Sequence, residues 1–306
     1  MRNLVRYNFK RFFFRWETFL ALGVNLLLGV LSGGLGLQLL EVENYVPFQQ
    51  YFFAAFCFIG LFMTMATIIS TEMSNYTNGI IRNQVISGYT KAQIFAGKYI
   101  SVLLISLLEG LCMMIPTALI GSGFLFDEAS EYALPLVVSL TLVYQVVACT
   151  ALTFCLIIGK TTPSTIVCTG TMVLLLLLSI FTVKRLDAPE NKYKPHPVER
   201  DQIVGYYNEY YIDSPARDAV EQLNRFNPME PVYEFAVWYL PSLNNDYYIE
   251  PYYWENSRVY RAEHMNDIPE FQRHTDRLNC FPLHQIAVIF VISACGVLVF
   301  RRRNIT

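Results

Sequence analysis

Six long apolar runs, separated by polar connections, dominate the pattern of this 306-residue chain. An α-helix rises about 1.5 Å per residue and the hydrocarbon core of a bilayer is roughly 30 Å thick, so about 20 apolar residues form one span. The last run reaches this length when Phe281 and Leu283 are included. The pattern therefore predicts an all-α polytopic membrane protein with six transmembrane helices, at about 18–40, 50–71, 99–122, 133–158, 164–183 and 285–300.

Lysine and arginine are distributed unevenly among the short connections. The first 17 residues hold five, the connection 72–98 three, the turn 159–163 one and the tail three, whereas 41–49 and 123–132 hold none. Basic connections of polytopic proteins remain on the cytoplasmic side. Both termini are therefore predicted to lie in the cytoplasm, and residues 184–284 outside the cell membrane.

The connection between the second and third spans is amphipathic. Ile81, Val85 and Tyr89 recur four residues apart, the spacing that places side chains on one face of a helix. Asn78-Gly79 predicts a turn before this helix, and Gly88 predicts a break after it. We expect a short cytoplasmic surface helix here, in a position where another protein can contact the membrane domain.

The first 17 residues predict a second surface helix. At 100° per residue, an arc of about 60° contains only apolar side chains, those of Val5, Phe9, Phe12 and Trp16. Five lysines and arginines surround that arc. A basic amphipathic helix with a tryptophan at its edge is typical of a segment that lies in the membrane surface.

Residues 184–284 form a polar block between the fifth and sixth spans. Its aromatic content, 12 of the 20 tyrosines, is too high for a disordered segment, so we expect a mostly helical exterior cap. Ser214-Pro215 predicts the capped start of an amphipathic helix that buries Ala216, Val220, Leu223 and Phe226, and Met229–Leu240 predicts a second helix. The expected units are 1–183 (N-terminal helix and spans 1–5), 184–284 (cap) and 285–306 (span 6 and a basic tail).

Composition agrees with a membrane protein and argues against several kinds of site. Charged residues make up 16% of the chain, compared with about 25% in soluble domains. The seven cysteines include no Cys-x-x-Cys pair, and the four histidines are far apart, so neither a disulfide framework nor a metal site is expected. No Gly-x-x-x-x-Gly-Lys-Ser/Thr phosphate loop occurs, so this chain is expected to bind no ATP in that way and to be no enzyme in itself.

Two features inside the predicted spans are candidates for function. Glu109 is the ionisable residue well within a span, and burying a carboxylate there costs at least about 2.5 kcal/mol, so it is expected to face an interior. Either it lines a pathway for a polar or cationic substrate, or it forms a hydrogen bond to a neighbouring helix. Gly29 and Gly33 allow close helix contact, either with a second subunit or within the same chain.

The polar connection also carries a resemblance to a known family. The order Glu72, Asn78-Gly79, Ile81-Arg82-Asn83, Ser87-Gly88, Lys91 and Lys98 resembles the cytoplasmic segment of type-2 ABC transporter permeases. The ending Phe300–Ile305, an apolar span followed by basic residues, is similar too. Ile80 stands where that family commonly has threonine, and the polar block before the last span is longer than the family pattern suggests.

The resemblance implies a permease subunit of an ABC transporter, an exporter. The residues that would couple it to an ATPase are Glu72, Gly79, Arg82, Gly88, Lys91 and Lys98. The implied partners are a separate ATP-binding subunit, which would hold ATP and Mg²⁺, a second permease subunit of the same or a different chain, and the lipid bilayer, but no nucleic acid.

Two other functions stay open on the residues alone. A secondary transporter would need ion or proton sites within the membrane, and Glu109 is a single candidate for one. A non-transporting sensor or scaffold would use the exterior block to bind a ligand. An ATPase that copurifies with the chain would separate both from a permease.

Overall fold

A computed structural model describes residues 1–40, 46–120, 130–186, 191–195, 203–207, 211–232 and 269–302. Within these ranges the elements in chain order are α1 (Arg2–Phe13), α2 (Trp16–Leu40), α3 (Val46–Thr77), α4 (Ile80–Ile86), α5 (Lys91–Ile120), α6 (Ser130–Ile158), α7 (Thr161–Leu186), β1 (Asn191–Pro195), β2 (Ile203–Tyr207), α8 (Ser214–Asn224) and α9 (Pro269–Arg302). Six of them are long and apolar enough to cross a membrane, namely α2, α3, α5, α6, α7 and α9. The predicted six-span arrangement is confirmed.

The helices are longer than the apolar runs that predicted them. The largest difference is at α9, which begins at Pro269 although its apolar stretch begins only at Asn279. An apolar run marks the part of a helix that lies in hydrocarbon, whereas backbone hydrogen bonds can continue the helix into the polar region. The predicted block 184–284 therefore includes the first turns of the sixth span helix.

The spans differ in how much protein surrounds them. Helices α3 and α6 are the most buried, whereas α7 and α9 keep most of their apolar surface exposed at the periphery. Helix α5 contacts α2, α6, α9 and α1, and so links these four helices within the bundle. Tyr99 on α5 donates a hydrogen bond to the Ile289 carbonyl of α9, at 2.5 Å.

Gly29 is the point of closest contact between α2 and α5. A Cβ atom at this position would overlap the backbone carbonyl of Met113, and Thr117 donates a hydrogen bond of 3.2 Å to the Gly29 carbonyl. Gly29 is therefore engaged within its own chain. Gly33, one turn further along α2, is buried as well.

Helix α1 also packs against the bundle, a contact that the prediction of a membrane-surface helix did not include. Its buried residues are Leu4, Asn8 and Phe12. Trp16, which the predicted apolar arc included, lies in α2 and is 68% exposed. The apolar arc was derived without knowledge of the neighbouring helices. Leu4 packs against Gly97 of α5, where the missing side chain leaves space, and this contact selects the face of α1 that turns inward.

The described part of the cap contains a strand pair as well as a helix. Strands β1 and β2 pair antiparallel, with Asn191 opposite Tyr207, so the expectation of a mostly helical cap missed this hairpin. Helix α8 confirms the predicted helix, but Asp213 occupies its N-cap position and Leu223 is 75% exposed. Its inward residue is Asn224, which the apolar pattern did not indicate. Most of the predicted helix Met229–Leu240 lies outside the described residues.

Replacing Gly29 with alanine tests the contact between α2 and α5. The added Cβ would push against backbone rather than a flexible side chain, so we expect a loss of about 1–3 kcal/mol in the free energy of unfolding, measured as a lower melting temperature in detergent. Gly23 on the same helix has nothing within 4 Å of its added Cβ. Gly23→Ala is the matched control and is expected to be neutral or stabilising. Equal melting of both variants would contradict the contact.

Candidate functional site

Helix α4 is a seven-residue segment between two glycine joints. Gly79 precedes it with φ of +65° and Gly88 follows it with φ of +88°, a region of backbone space that glycine occupies without strain. The chain therefore turns sharply on both sides of α4. The predicted short helix and its two breaks are present at the predicted positions.

The face that α4 turns inward differs from the predicted one. Ile81 and Gln84 are buried, whereas Val85 is 38% exposed. The helix ends at Ile86, so Tyr89 lies beyond the Gly88 joint and packs on the core from there. The spacing of four residues from Ile81 to Val85 to Tyr89 was misleading, because it assumed one continuous helix. The left-handed conformation at Gly88 ends that helix before Tyr89.

Helix α4 packs on α1, and α1 packs on α5. The Gln84 side-chain amide donates a hydrogen bond of 3.2 Å to Asn8 Oδ1, and both residues are buried. Ser101 of α5 donates a bond of 3.2 Å to the Val5 carbonyl of α1. A surface helix that could have moved freely is thus linked by polar contacts to a span.

A fully buried ion pair lies beneath α4. Lys98 of α5 donates a charged hydrogen bond to Glu72 Oε2 of α3, and neither side chain is exposed. The other carboxylate oxygen accepts a bond of 3.0 Å from Asn75. Because α3 leads into α4 and α5 leads out of it, this pair fastens together the two spans that flank the short helix.

The six residues predicted for ATPase coupling therefore separate into two groups. Glu72 and Lys98 lie in the interior, where no partner can touch them. Arg82 and Gly88 are exposed, and Gly79 and Lys91 are half-buried at the joints. The outward surface of α4, which we call the α4 surface, consists of Arg82, Asn83, Val85 and Ile86.

Several contacts bring other chain segments to the same end of the bundle. Lys91 donates a bond of 3.3 Å to the Arg301 carbonyl at the end of α9. Tyr76, near the end of α3, donates one of 2.9 Å to the Leu156 carbonyl at the end of α6. The N-terminal helix, α4 and the end of α9 therefore share one end, and the described part of the cap lies toward the other.

Glu109 belongs to a group of polar side chains near the middle of the bundle. It is fully buried, and neither of its carboxylate oxygens has a hydrogen-bond partner within the described residues. Thr64 of α3 lies beside it, close enough to interact with the carboxyl group but outside hydrogen-bond geometry. Tyr144 of α6 is also close, and its hydroxyl donates a bond of 2.9 Å to Asn25 of α2. We call Asn25, Thr64, Glu109 and Tyr144 the interior cluster.

Part of the cap enters the bundle instead of covering it. In the segment 224–232, which we call the plug, Asn224 accepts a 2.8 Å bond from Thr182, and Asn227 donates one of 2.9 Å to the Leu175 carbonyl. Leu175 lies seven residues, about 10 Å, further inside α7 than Thr182. Met229 is buried in the core between α3, α6 and α7, beside a small apolar cavity lined also by Met65, Val146, Val147, Thr150, Ala151, Cys168, Thr171, Met172, Leu175 and Pro228.

Sequence reasoning missed the plug and most polar contacts across the bundle. Asn25 carried a usable signal, because an amide side chain inside an apolar run needs a partner. Asn8 and Gln84 carried none, since each lies in a polar segment where such residues are ordinary. Among the described residues no group of three or more histidine, cysteine or acidic side chains is arranged to hold a metal.

These features define a class: a six-span helical membrane protein with a short helix held at one end between its second and third spans. A family profile described as ABC-2 family transporter protein matches residues 26–250, well over half of the chain. The chain therefore belongs to this family, the membrane-spanning permeases of ABC-2 transporters. Neither a search of curated proteins nor a search of solved structures finds a match.

Removing one partner of the buried ion pair is expected to destabilise the folded protein strongly. Lys98→Met leaves a carboxylate unpaired in the core and should lower the free energy of unfolding by about 3–5 kcal/mol, whereas Glu72→Gln with Lys98→Met should recover most of that loss. Melting of the purified variants in detergent measures both effects.

The half-exposed pair Arg15–Glu17, at 3.1 Å, is the matched control. Arg15→Gln is expected to cost about 1 kcal/mol or less, because solvent screens this pair. A Lys98→Met variant as stable as Arg15→Gln would show that the buried pair is not what joins α3 to α5.

Proposed function

We propose that this chain is the permease subunit of an exporter whose energy comes from a separate ATP-binding subunit. That subunit would hold ATP and Mg²⁺, because this sequence contains no phosphate loop. Two permease chains, the same or different, would assemble with two ATPases. The single observation that supports coupling is the α4 surface, held rigidly at one end of the bundle by α1, α3 and α5. Family membership favours this function over a secondary transporter or a sensor.

The proposed orientation places α4 in the cytoplasm. The end of the bundle that gathers α1, α4 and the end of α9 is also the end rich in lysine and arginine, as expected for the cytoplasmic side of a cell membrane. The cap and the plug would then face outside. An ATPase in the cytoplasm would meet the α4 surface directly.

The composition of the α4 surface suits a protein contact. Ile86 is 72% exposed, and Val85 lies next to it. Arg82 and Asn83 add one charge and hydrogen-bonding groups on the same outward side. An apolar anchor bordered by an arginine is a typical centre of binding energy in protein interfaces.

The ion pair would transmit a push on α4 to the interior cluster. Because Glu72 and Lys98 join α3 and α5, both spans would move together rather than separately. Thr64 lies eight residues from Glu72, about 12 Å along α3, and Glu109 lies eleven residues from Lys98, about 16 Å along α5. Movement of this pair of helices would therefore displace two members of the interior cluster at once.

The interior cluster is the proposed position of the transport pathway. Glu109 and Thr64 carry polar atoms without partners in the described structure, so a polar or cationic substrate could satisfy them when the spans separate. In the arrangement described here the cluster is closed on all sides. Met229 of the plug packs between α3, α6 and α7 on the opposite side from α4, where it would block an outward exit until those spans move.

The α4 surface can be tested by copurification with the ATPase subunit. Ile86→Asp and Arg82→Glu change outward side chains and should leave folding intact, while weakening association by about 2 kcal/mol or more, or about thirtyfold. Lys160→Glu is the control, because Lys160 is an exposed cation in the turn between α6 and α7, away from α4. Retention of the ATPase by both α4 variants, at the level of the control, would argue against this surface.

Glu109→Gln tests the pathway. Glutamine keeps the shape of the side chain, so melting and ATPase association should be unchanged. ATP-driven uptake of the cationic dye ethidium into inverted vesicles should fall at least about tenfold, since a hydrogen bond to a charged group contributes about 1.5–3 kcal/mol. Asp218→Asn, an exposed position in the exterior helix α8, controls for the loss of one carboxylate. Uptake equal to that of the control variant would leave Glu109 with a purely structural role.

A further inference from the structure

The outward side of α1 carries a line of cations. Arg2, Arg6 and Lys10 follow one another at intervals of four residues, and all three are exposed. Their directions lie roughly opposite to the face formed by Leu4, Asn8 and Phe12, which packs on the bundle. Residues 1–16 contain no acidic side chain. Within the described structure these three cations also form no ion pair, so their charge is available to an external anion.

A group of aromatic rings lies where α1 meets α2. Phe13 contacts Phe9 in a stacked arrangement at 5.5 Å and Phe19 edge-on at 5.6 Å. Phe14 and Trp16 protrude from the same corner and are largely exposed. Tryptophan is stable at the boundary between headgroups and acyl chains, where its ring is buried in lipid and its N–H stays wet, and phenylalanine is common on the apolar face of helices that lie there.

The cations and the rings together indicate one kind of partner. The rings fix α1 at headgroup depth, and at that depth the anions within reach of the three cations are lipid phosphates. We infer that Arg2, Arg6 and Lys10 form a binding site for anionic phospholipid headgroups, and that lipid bound there steadies α4 through the Asn8–Gln84 hydrogen bond. The lipid site does not depend on the proposed function. Only the consequence of lipid binding for ATPase coupling through α4 rests on the proposed function.

Lipid selectivity can be read from Trp16. With Trp238→Phe and Trp254→Phe, Trp16 is the only tryptophan, and the full chain is placed in nanodiscs of phosphatidylcholine and phosphatidylglycerol with bromine on one lipid at a time. Brominated phosphatidylglycerol should quench Trp16 more strongly than brominated phosphatidylcholine at the same mole fraction. Each cation near an anionic surface contributes about a fivefold preference, so Arg2→Gln, Arg6→Gln and Lys10→Gln together should abolish the difference.

The matched control removes three other exposed cations from the same end of the bundle. Lys160→Gln, Arg301→Gln and Arg302→Gln change the net charge equally and should keep the preference of Trp16 for phosphatidylglycerol. Equal quenching by both lipids in the parent chain would overturn the site. An equal loss of preference in both triple variants would also overturn it, because general charge would then explain the effect. Competition by inorganic phosphate at matched ionic strength would indicate a soluble-anion site instead.

Hydrogen exchange measures the link to α4. Amides in residues 80–90 should exchange several times more slowly in nanodiscs with phosphatidylglycerol than in pure phosphatidylcholine. Gln84→Leu should remove this protection while Trp16 keeps its lipid preference. Exchange of residues 80–90 that does not respond to phosphatidylglycerol in the parent chain would overturn the link to α4. Because neither measurement involves an ATPase, a failed coupling function and a failed lipid site give different results.

Discussion

The buried pair of Glu72 and Lys98 is the interaction on which the α4 end of this protein depends. Two opposite charges in a membrane domain are each expensive to bury, and they become tolerable only when they are close together and hydrogen-bonded. Lys98 meets one carboxylate oxygen and Asn75 the other, so both Glu72 oxygens have partners. Separating α3 from α5 at this level would leave two unpaired charges in the core. The geometry of the two spans is therefore fixed just where α4 joins them.

The position of α4 follows from that constraint. With α3 and α5 held together, the chain between Thr77 and Lys91 must reverse direction over a short distance, and the left-handed conformations at Gly79 and Gly88 allow it to do so. The helix between the two joints is too short to be stable alone. It is held by Ile81, which enters the core, and by the bond from Gln84 to Asn8. The remaining residues of the α4 surface, Arg82, Asn83, Val85 and Ile86, have an orientation that is set by these buried contacts.

The features that follow from bilayer physics could be predicted from the sequence, and those that depend on distant pairing could not. Apolar run length gave the six spans because hydrocarbon thickness sets it, and the glycine positions gave the joints of α4 because backbone sterics are local. The pairing of Glu72 with Lys98 joins residues 26 positions apart, and neither residue alone indicates whether it lies inward or outward. The face that α1 turns toward the bundle depends on the space beside Gly97, which Leu4 fills. The plug, from Asn224 to Val232, has no apolar periodicity because polar bonds to α7 hold it.

The two buried carboxylates, Glu72 and Glu109, divide the bundle into a fixed part and an adaptable part. At the α4 end, both oxygens of the buried carboxylate Glu72 have partners, Lys98 and Asn75, although Asn8 and Gln84 each keep a further polar atom without one in the described residues. Near the middle, Glu109 and Thr64 have polar atoms without partners in the described residues. Such atoms raise the energy of the closed arrangement, since a buried polar group without a hydrogen bond costs about 1–3 kcal/mol. A state that gives them water or a bound ligand is favoured by that amount, whereas any motion that disrupts the α4 end is opposed by the ion pair. Rearrangement is therefore easier around the interior cluster than between α3 and α5 at the α4 end, as the proposed coupling from that end would require.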